Sequence, residues 1–142
     1  MKPPHTHPFA ERRAVERAIP RAKTCFQLMG AGSVGSQALL GIAHLHALRA
    51  RYGAALAVAP FEAPDRADIV LAEVYPGLIP AAIAAHARPE EIPDRAQVRV
   101  LARALSRLRP ERLDALLRVQ GALGEGWILG ARDEDALATA LA

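Results

Sequence analysis

Two carboxylates stand out as groups able to do chemistry. Glu73 interrupts the run Asp68-Ile69-Val70-Leu71-Ala72-Glu73-Val74. A charge in an apolar run costs several kcal/mol unless it is paired, hydrogen-bonded or metal-bound. Asp135 lies in Asp133-Glu134-Asp135-Ala136-Leu137, at the start of a predicted helix. As a pair, Glu73 and Asp135 are the candidate catalytic residues and the candidate ligands of magnesium or manganese. Such an ion orients water and stabilises a phosphoryl transition state. The plainer reading of Asp135 is that acids at a helix start complement the helix dipole.

A second candidate is Gly30-Ala31-Gly32-Ser33-Val34-Gly35, which reads G-x-G-x-x-G. Gly30, Gly32 and Gly35 would let the backbone approach a phosphate seated on a helix N-terminus. A dinucleotide site also needs an acid about 20 residues further on. That neighbourhood reads Arg51-Tyr52-Gly53-Ala54-Ala55 and holds none. The alternative is a tight turn where helix and backbone pack closely.

Arg95, Arg99, Arg103 and Arg107 recur every four residues and predict one helix side. A solvated face is the bland meaning; a phosphate-contacting ridge, weakened by salt, is the sharper one. His5 and His7 form a His-x-His pair in a proline-rich start with no further ligand near. His44 and His46 stand two apart on a predicted helix and cannot share a face. Cys25 reads as a small buried hydrophobe and Trp127, the single tryptophan, as a core anchor.

These groups need a scaffold, and the composition allows one. The chain has 142 residues, 51% of them hydrophobic, enough for one domain with a core. Aromatics are only 4%, so that core is aliphatic and fine-grained. One cysteine excludes an intramolecular disulfide framework and a cysteine-based zinc site. No run is long and apolar enough for a membrane span, and no leader pattern opens the sequence, so a cytoplasmic location and no membrane partner are expected. The net charge of +3 permits a phosphate-bearing ligand or nucleic acid without demanding one.

Residues 1–24 read as an irregular segment with a short helix over residues 9–18. That helix would expose Glu11, Arg12, Arg13, Glu16 and Arg17. Residues 25–142 read as a single α/β domain. Residues 25–29 are a strand or a buried helix entry. A long helix follows to Tyr52, apolar on more than one face and therefore expected to be buried on two sides, with Gly53 as its stop. Strands are expected at residues 54–59 and 68–74, the second covered on both faces. Helices follow at residues 79–86, from an Asp94 cap to about Leu108, at residues 110–119, and from Asp133 onward.

Four stretches in order carry a resemblance. They are Phe26-Gln27-Leu28-Met29-Gly30-Ala31-Gly32-Ser33-Val34-Gly35-Ser36-Gln37, Val70-Leu71-Ala72-Glu73-Val74-Tyr75-Pro76, Asp94-Arg95-Ala96-Gln97-Val98-Arg99 and Glu125-Gly126-Trp127-Ile128-Leu129-Gly130. The set resembles the C-terminal half of a bacterial family often labelled as molybdopterin guanine dinucleotide synthesis proteins, and is similar to domains of ribonuclease-H-like fold. The resemblance implies a partial ribonuclease-H-like α/β domain with few strands and several helices. It makes Glu73 a carboxylate on a sheet strand, Asp135 the acid of the final helix, and the Gly30 to Gly35 turn a family signature. Family members begin with a strand bearing an Asp and a second acidic motif, which this chain lacks. An incomplete domain is thus expected, weak or inactive alone, with an unpaired sheet edge that favours homo- or hetero-association. Three functions follow: a metal-dependent phosphoryl-transfer or nuclease-like domain, a nucleotide- or pterin-phosphate-binding module, and a non-catalytic interaction module.

Overall fold

The computed structural model describes residues 10–122 and 124–142. His5 and His7 lie outside the described residues. The architecture is mixed α/β, with six helices and a two-stranded parallel sheet among the described residues. In chain order the elements are α1 (Ala14–Ala18), α2 (Gly35–Tyr52), β1 (Leu56–Val58), β2 (Ile69–Leu71), α3 (Pro80–His86), α4 (Pro93–Ser106), α5 (Pro110–Leu117) and α6 (Glu134–Thr139).

Local chemistry explains most boundaries. α3, α4 and α5 each begin with a proline, whose fixed φ suits the first turn and whose missing N–H would be unpaired there anyway. Asp94 falls inside the first turn of α4 and not at its cap, which is Ile92; its carboxylate complements the helix dipole instead. Gly53, at φ 53°, ends α2 as expected. Residues 25–29 form turns and bends and no strand.

The main buried cluster sits among the helices, with Leu56 and Ala57 of β1 buried outside it. Val15, Ile19 and Ala22 from the amino-terminal segment meet Leu78, Ile79, Val100, Leu101, Ala104, Trp127, Ile128, Leu137 and Leu141 in one buried cluster. α4 packs against α3 and α6 and supplies four buried residues, Ala96, Val100, Leu101 and Ala104. Trp127 is buried as an anchor, with the Arg132 guanidinium 5.2 Å from its ring centre.

Two expectations of burial fail. β2 is half-buried, with Ile69 37% exposed, so it is not covered on both faces. α2 is not buried on two sides: Gly35 is its sole buried residue, and Leu39, Leu40 and Ile42 are each at least 60% exposed. Apolar residues all round a helix usually mean deep burial. Among the described residues no second layer reaches the outer side of α2.

β1 pairs with β2 in register Leu56 with Ile69 and Val58 with Leu71. Beyond β2, Glu73 forms a parallel bridge with Ile128, and the Leu129 amide donates to the Glu73 carbonyl at 2.8 Å. The outer edge of β1 is not unpaired, contrary to expectation. Its Leu56 amide donates to the Gly53 carbonyl. Its Leu56 carbonyl accepts from Arg49 of α2. The Val58 amide donates to Glu62 Oε2 at 2.9 Å, and the Val58 carbonyl accepts the Glu62 amide at 2.9 Å. Arg49 and Glu62 are themselves joined at 2.5 Å. A side-chain plug therefore occupies the place a further strand would take.

Candidate functional site

Glu73 follows β2 closely, just past the carboxyl end of the strand, where α/β sheets commonly place ligands. It meets a guanidinium there. Both carboxylate oxygens accept from Arg13, each at 2.7 Å, in a bidentate pair. Arg13 is only 11% exposed on its side chain, whereas Glu73 is 43% exposed. Hydrogen bonding to Glu73 holds the Arg13 guanidinium protonated well above its ordinary range; burial opposes this and Glu16 reinforces it.

Glu16 completes the clamp from inside. Its side chain is fully buried. One oxygen accepts from Arg13 Nε at 2.8 Å and from the Cys25 amide at 3.0 Å. The other accepts the Arg13 amide at 3.0 Å and ties the first turn of α1 back to its cap, the half of a capping box that a carboxylate makes. Burial pushes the Glu16 carboxyl up, but the bonds from Cys25 and Arg13 together outweigh it and hold the carboxyl below its usual value. The expectation that Arg13 and Glu16 point to solvent is thus corrected. α1 spans only Ala14–Ala18 and buries Val15 and Glu16, so a short helix so close to the core has little outer face.

The clamp ties the amino-terminal segment to the sheet. Glu125 Oε2 accepts the Ala14 amide at 2.6 Å. Gly126 lies against the pair: a methyl group there would stand 3.5 Å from Arg13 Nη1 and 3.6 Å from Glu73 Oε2. Cys25, joined to Glu16 through its amide, is half-buried and not the buried hydrophobe expected, and burial pushes its thiol up.

The glycine turn adjoins the same cluster through Cys25. A methyl group on Gly35 would fall 2.6 Å from the Gln27 carbonyl oxygen and 2.7 Å from that of Cys25. The Gly35 amide donates to Gln27 at 2.9 Å and the Ser33 amide to Gly30 at 3.1 Å. Two of the turn's N–H groups are therefore used within the chain. Gly30 and Gly32 have φ of 107° and 72° and stay exposed. This is close backbone packing at the start of α2.

Asp135 is not part of this cluster. It is exposed in the first turn of α6, and among the described residues its carboxylate has no ion-pair or hydrogen-bond partner. Among the described residues no group of three or more His, Cys, Asp or Glu is arranged to hold a metal ion. The arginine ridge of α4 divides. Arg99 is bound to Glu91 at 2.6 and 2.8 Å and to the His86 carbonyl at 2.7 Å, and Arg107 donates to the Leu141 carbonyl at 3.1 Å. Arg95 and Arg103 are exposed.

A different surface is left open. Phe26, Leu28 and Met29 are 56%, 54% and 85% exposed. Leu39, Leu40 and Ile42 are 60%, 64% and 62% exposed. The bond from the Gly35 amide to Gln27 folds the loop onto the first turn of α2, so both sets lie at one end of that helix. Among the described residues no helix is long and apolar enough to cross a membrane. Compared with known protein families, curated proteins and solved structures, the chain has no significant match.

Proposed function

We propose that this chain is a protein-interaction module that docks a partner through the amino-terminal half of α2 and the loop before it. The carrying observation is the set Phe26, Leu28, Met29, Leu39, Leu40 and Ile42, all more than half exposed at one end of one helix. Each such side chain gains about 1.5–3 kcal/mol when fully buried. Covering most of them offsets much of the cost of association, about 4–15 kcal/mol. Concentrated apolar exposure of this kind marks interaction surfaces.

The test is site-specific photo-crosslinking in the cells that make the protein. A photoreactive phenylalanine analogue at position 40 or 28 is expected to yield the same discrete adduct. At position 98 on α4, where Val98 is also exposed at 57%, it is expected to yield none. Equal yields at all three positions would refute the docking reading.

A second reading is metal-dependent phosphoryl transfer at Glu73, favoured by its place beyond the end of β2, with Asp135 of α6 outside its cluster. Arg13 occupies both oxygens of Glu73, so magnesium or manganese must displace the guanidinium there. Manganese-dependent cleavage of single-stranded nucleic acid that Glu73→Gln abolishes would support it. Cleavage unchanged by that variant would sink it.

A further inference from the structure

The apolar surface of α2 lies within a stretch of chain whose charges are all of one sign. From residue 17 to residue 61 the chain carries Arg17, Arg21, Lys23, Arg49 and Arg51 and not one Asp or Glu. The whole chain is only +3, so the remainder is net negative. Arg49 is taken by Glu62, and Arg17 donates to the Arg12 carbonyl. Lys23 and Arg51 are exposed and belong to no ion pair among the described residues. They bracket the helix. Lys23 lies over the glycine turn, its Cε 3.5 Å from where a methyl on Gly32 would stand. Arg51 is in the last turn, over the Tyr52 ring at 5.4 Å. α2 has 18 residues, so the two ends are about 27 Å apart.

The shape between those cations suits a helix. Leu40, Ala43, Ala47 and Ala50 recur at intervals of three and four along the exposed side, the spacing of a helix-pairing seam. Leu39 extends it along one side at the amino-terminal end, with Ile42 further round the helix. A second copy of α2 would bring only further cations to this seam. We propose that α2 seats an amphipathic helix of a partner protein whose apolar stripe is flanked by carboxylates, set to meet Lys23 at one end and Arg51 at the other. This rests on the docking reading above and adds the chemistry of the partner. Carboxylates there speed encounter and select the partner, while the apolar seam supplies most of the affinity.

The probes are two synthetic helical peptides, each about the length of α2, sharing one leucine–alanine stripe and differing in flanks of Glu or Lys. Binding to the full chain is measured by fluorescence anisotropy. The Glu-flanked peptide is expected to bind at least about tenfold tighter in low salt, with the preference fading as salt rises toward about 0.5 M. Lys23→Glu is expected to cut that preference severalfold. Leu40→Asp is expected to abolish binding of both peptides with the circular dichroism unchanged, since Leu40 is 64% exposed. Equal binding of the two peptides, still lost in Leu40→Asp, overturns the acidic partner and leaves the docking reading standing. Binding of neither peptide, with no crosslink at position 40, overturns both. Co-sedimentation with phosphatidylserine vesicles in place of peptide binding overturns the proposal in favour of a lipid surface. A concentration-dependent dimer abolished by Leu40→Asp overturns it in favour of a second copy.

Discussion

α4 and α2 meet the rest of the molecule in opposite ways. α4 has 14 residues and buries four of them; α2 has 18 and buries only Gly35. Yet α2 is the more apolar helix. α4 sorts its residues, with Ala96, Val100, Leu101 and Ala104 inward and Arg95 and Arg103 outward. α2 spreads Leu39, Leu40, Ile42 and Leu48 round its circumference. The fold itself completes a helix with one apolar stripe. A helix with apolar residues on several sides needs more neighbours than the described residues provide. Charge follows the same division. Around the core, Arg13, Glu16 and Glu73 satisfy one another, while the α2 surface carries cations with no anions of its own.

The sharpest test of the core side removes its buried charge. Glu16→Ala leaves Arg13 Nε and the Arg13 and Cys25 amides without an acceptor while Glu73 still holds the guanidinium, and is expected to cost about 3–5 kcal/mol in urea unfolding, at about 1–3 kcal/mol for each donor left unpaired. A loss below about 1 kcal/mol would mean that the clamp is ornamental. Next comes a matched pair. Leu101→Ala in α4 is expected to cost about 2–5 kcal/mol, and Leu40→Ala in α2 is expected to stay within about 0.5 kcal/mol. Similar values for the two would erase the contrast between the helices.

Acid sharpens the comparison differently. Hydrogen bonding to Arg99 holds the Glu91 carboxyl at about 2, against an ordinary 4.5. A carboxyl lowered on folding stabilises the fold above its unfolded value and loses that contribution as pH falls toward the folded one. Stability is therefore expected to decline from about pH 5 to about pH 2, with Glu16 adding to the same limb. Glu91→Gln is expected to flatten part of it in pH-dependent thermal melts; an unchanged profile would detach Glu91 from the effect. The smallest effect is local. Amides on the outer side of α2 are expected to exchange faster than those of α4 by native-state hydrogen exchange, because few packed contacts hold them.

Much of the helical layout is legible in the sequence. Pro110, Gly53 and the leucine spacing near residues 101–117 mark a start, a stop and inner faces through local rules, whereas the cap of α4, expected at Asp94, falls at Ile92. The mixed α/β class is legible too. Burial of α2 is not, because apolar residue types say what a surface prefers and not whether a neighbour reaches it. Glu73 was recognisable as a carboxylate needing a partner. Its partner Arg13 is 60 residues away, and nothing local names it. Glu16 had a faint signal as an acid three residues after the α1 cap. The plug on β1 was hidden for the same reason as the clamp: Arg49 and Glu62 look like ordinary surface charges until the chain brings them to one strand edge.

Gly35 carries a lesson for reading substitution patterns. Any side chain there meets the Cys25 and Gln27 carbonyls at under 3 Å, and its φ lies outside the left-handed region. A saturation library would therefore return glycine alone at this position, with no ligand in the assay at all. Intolerance of this kind is the usual warrant for calling a glycine motif a phosphate loop. In this molecule it would record crowding between two backbone segments, and a motif scored on tolerance alone would be assigned a cargo it does not need.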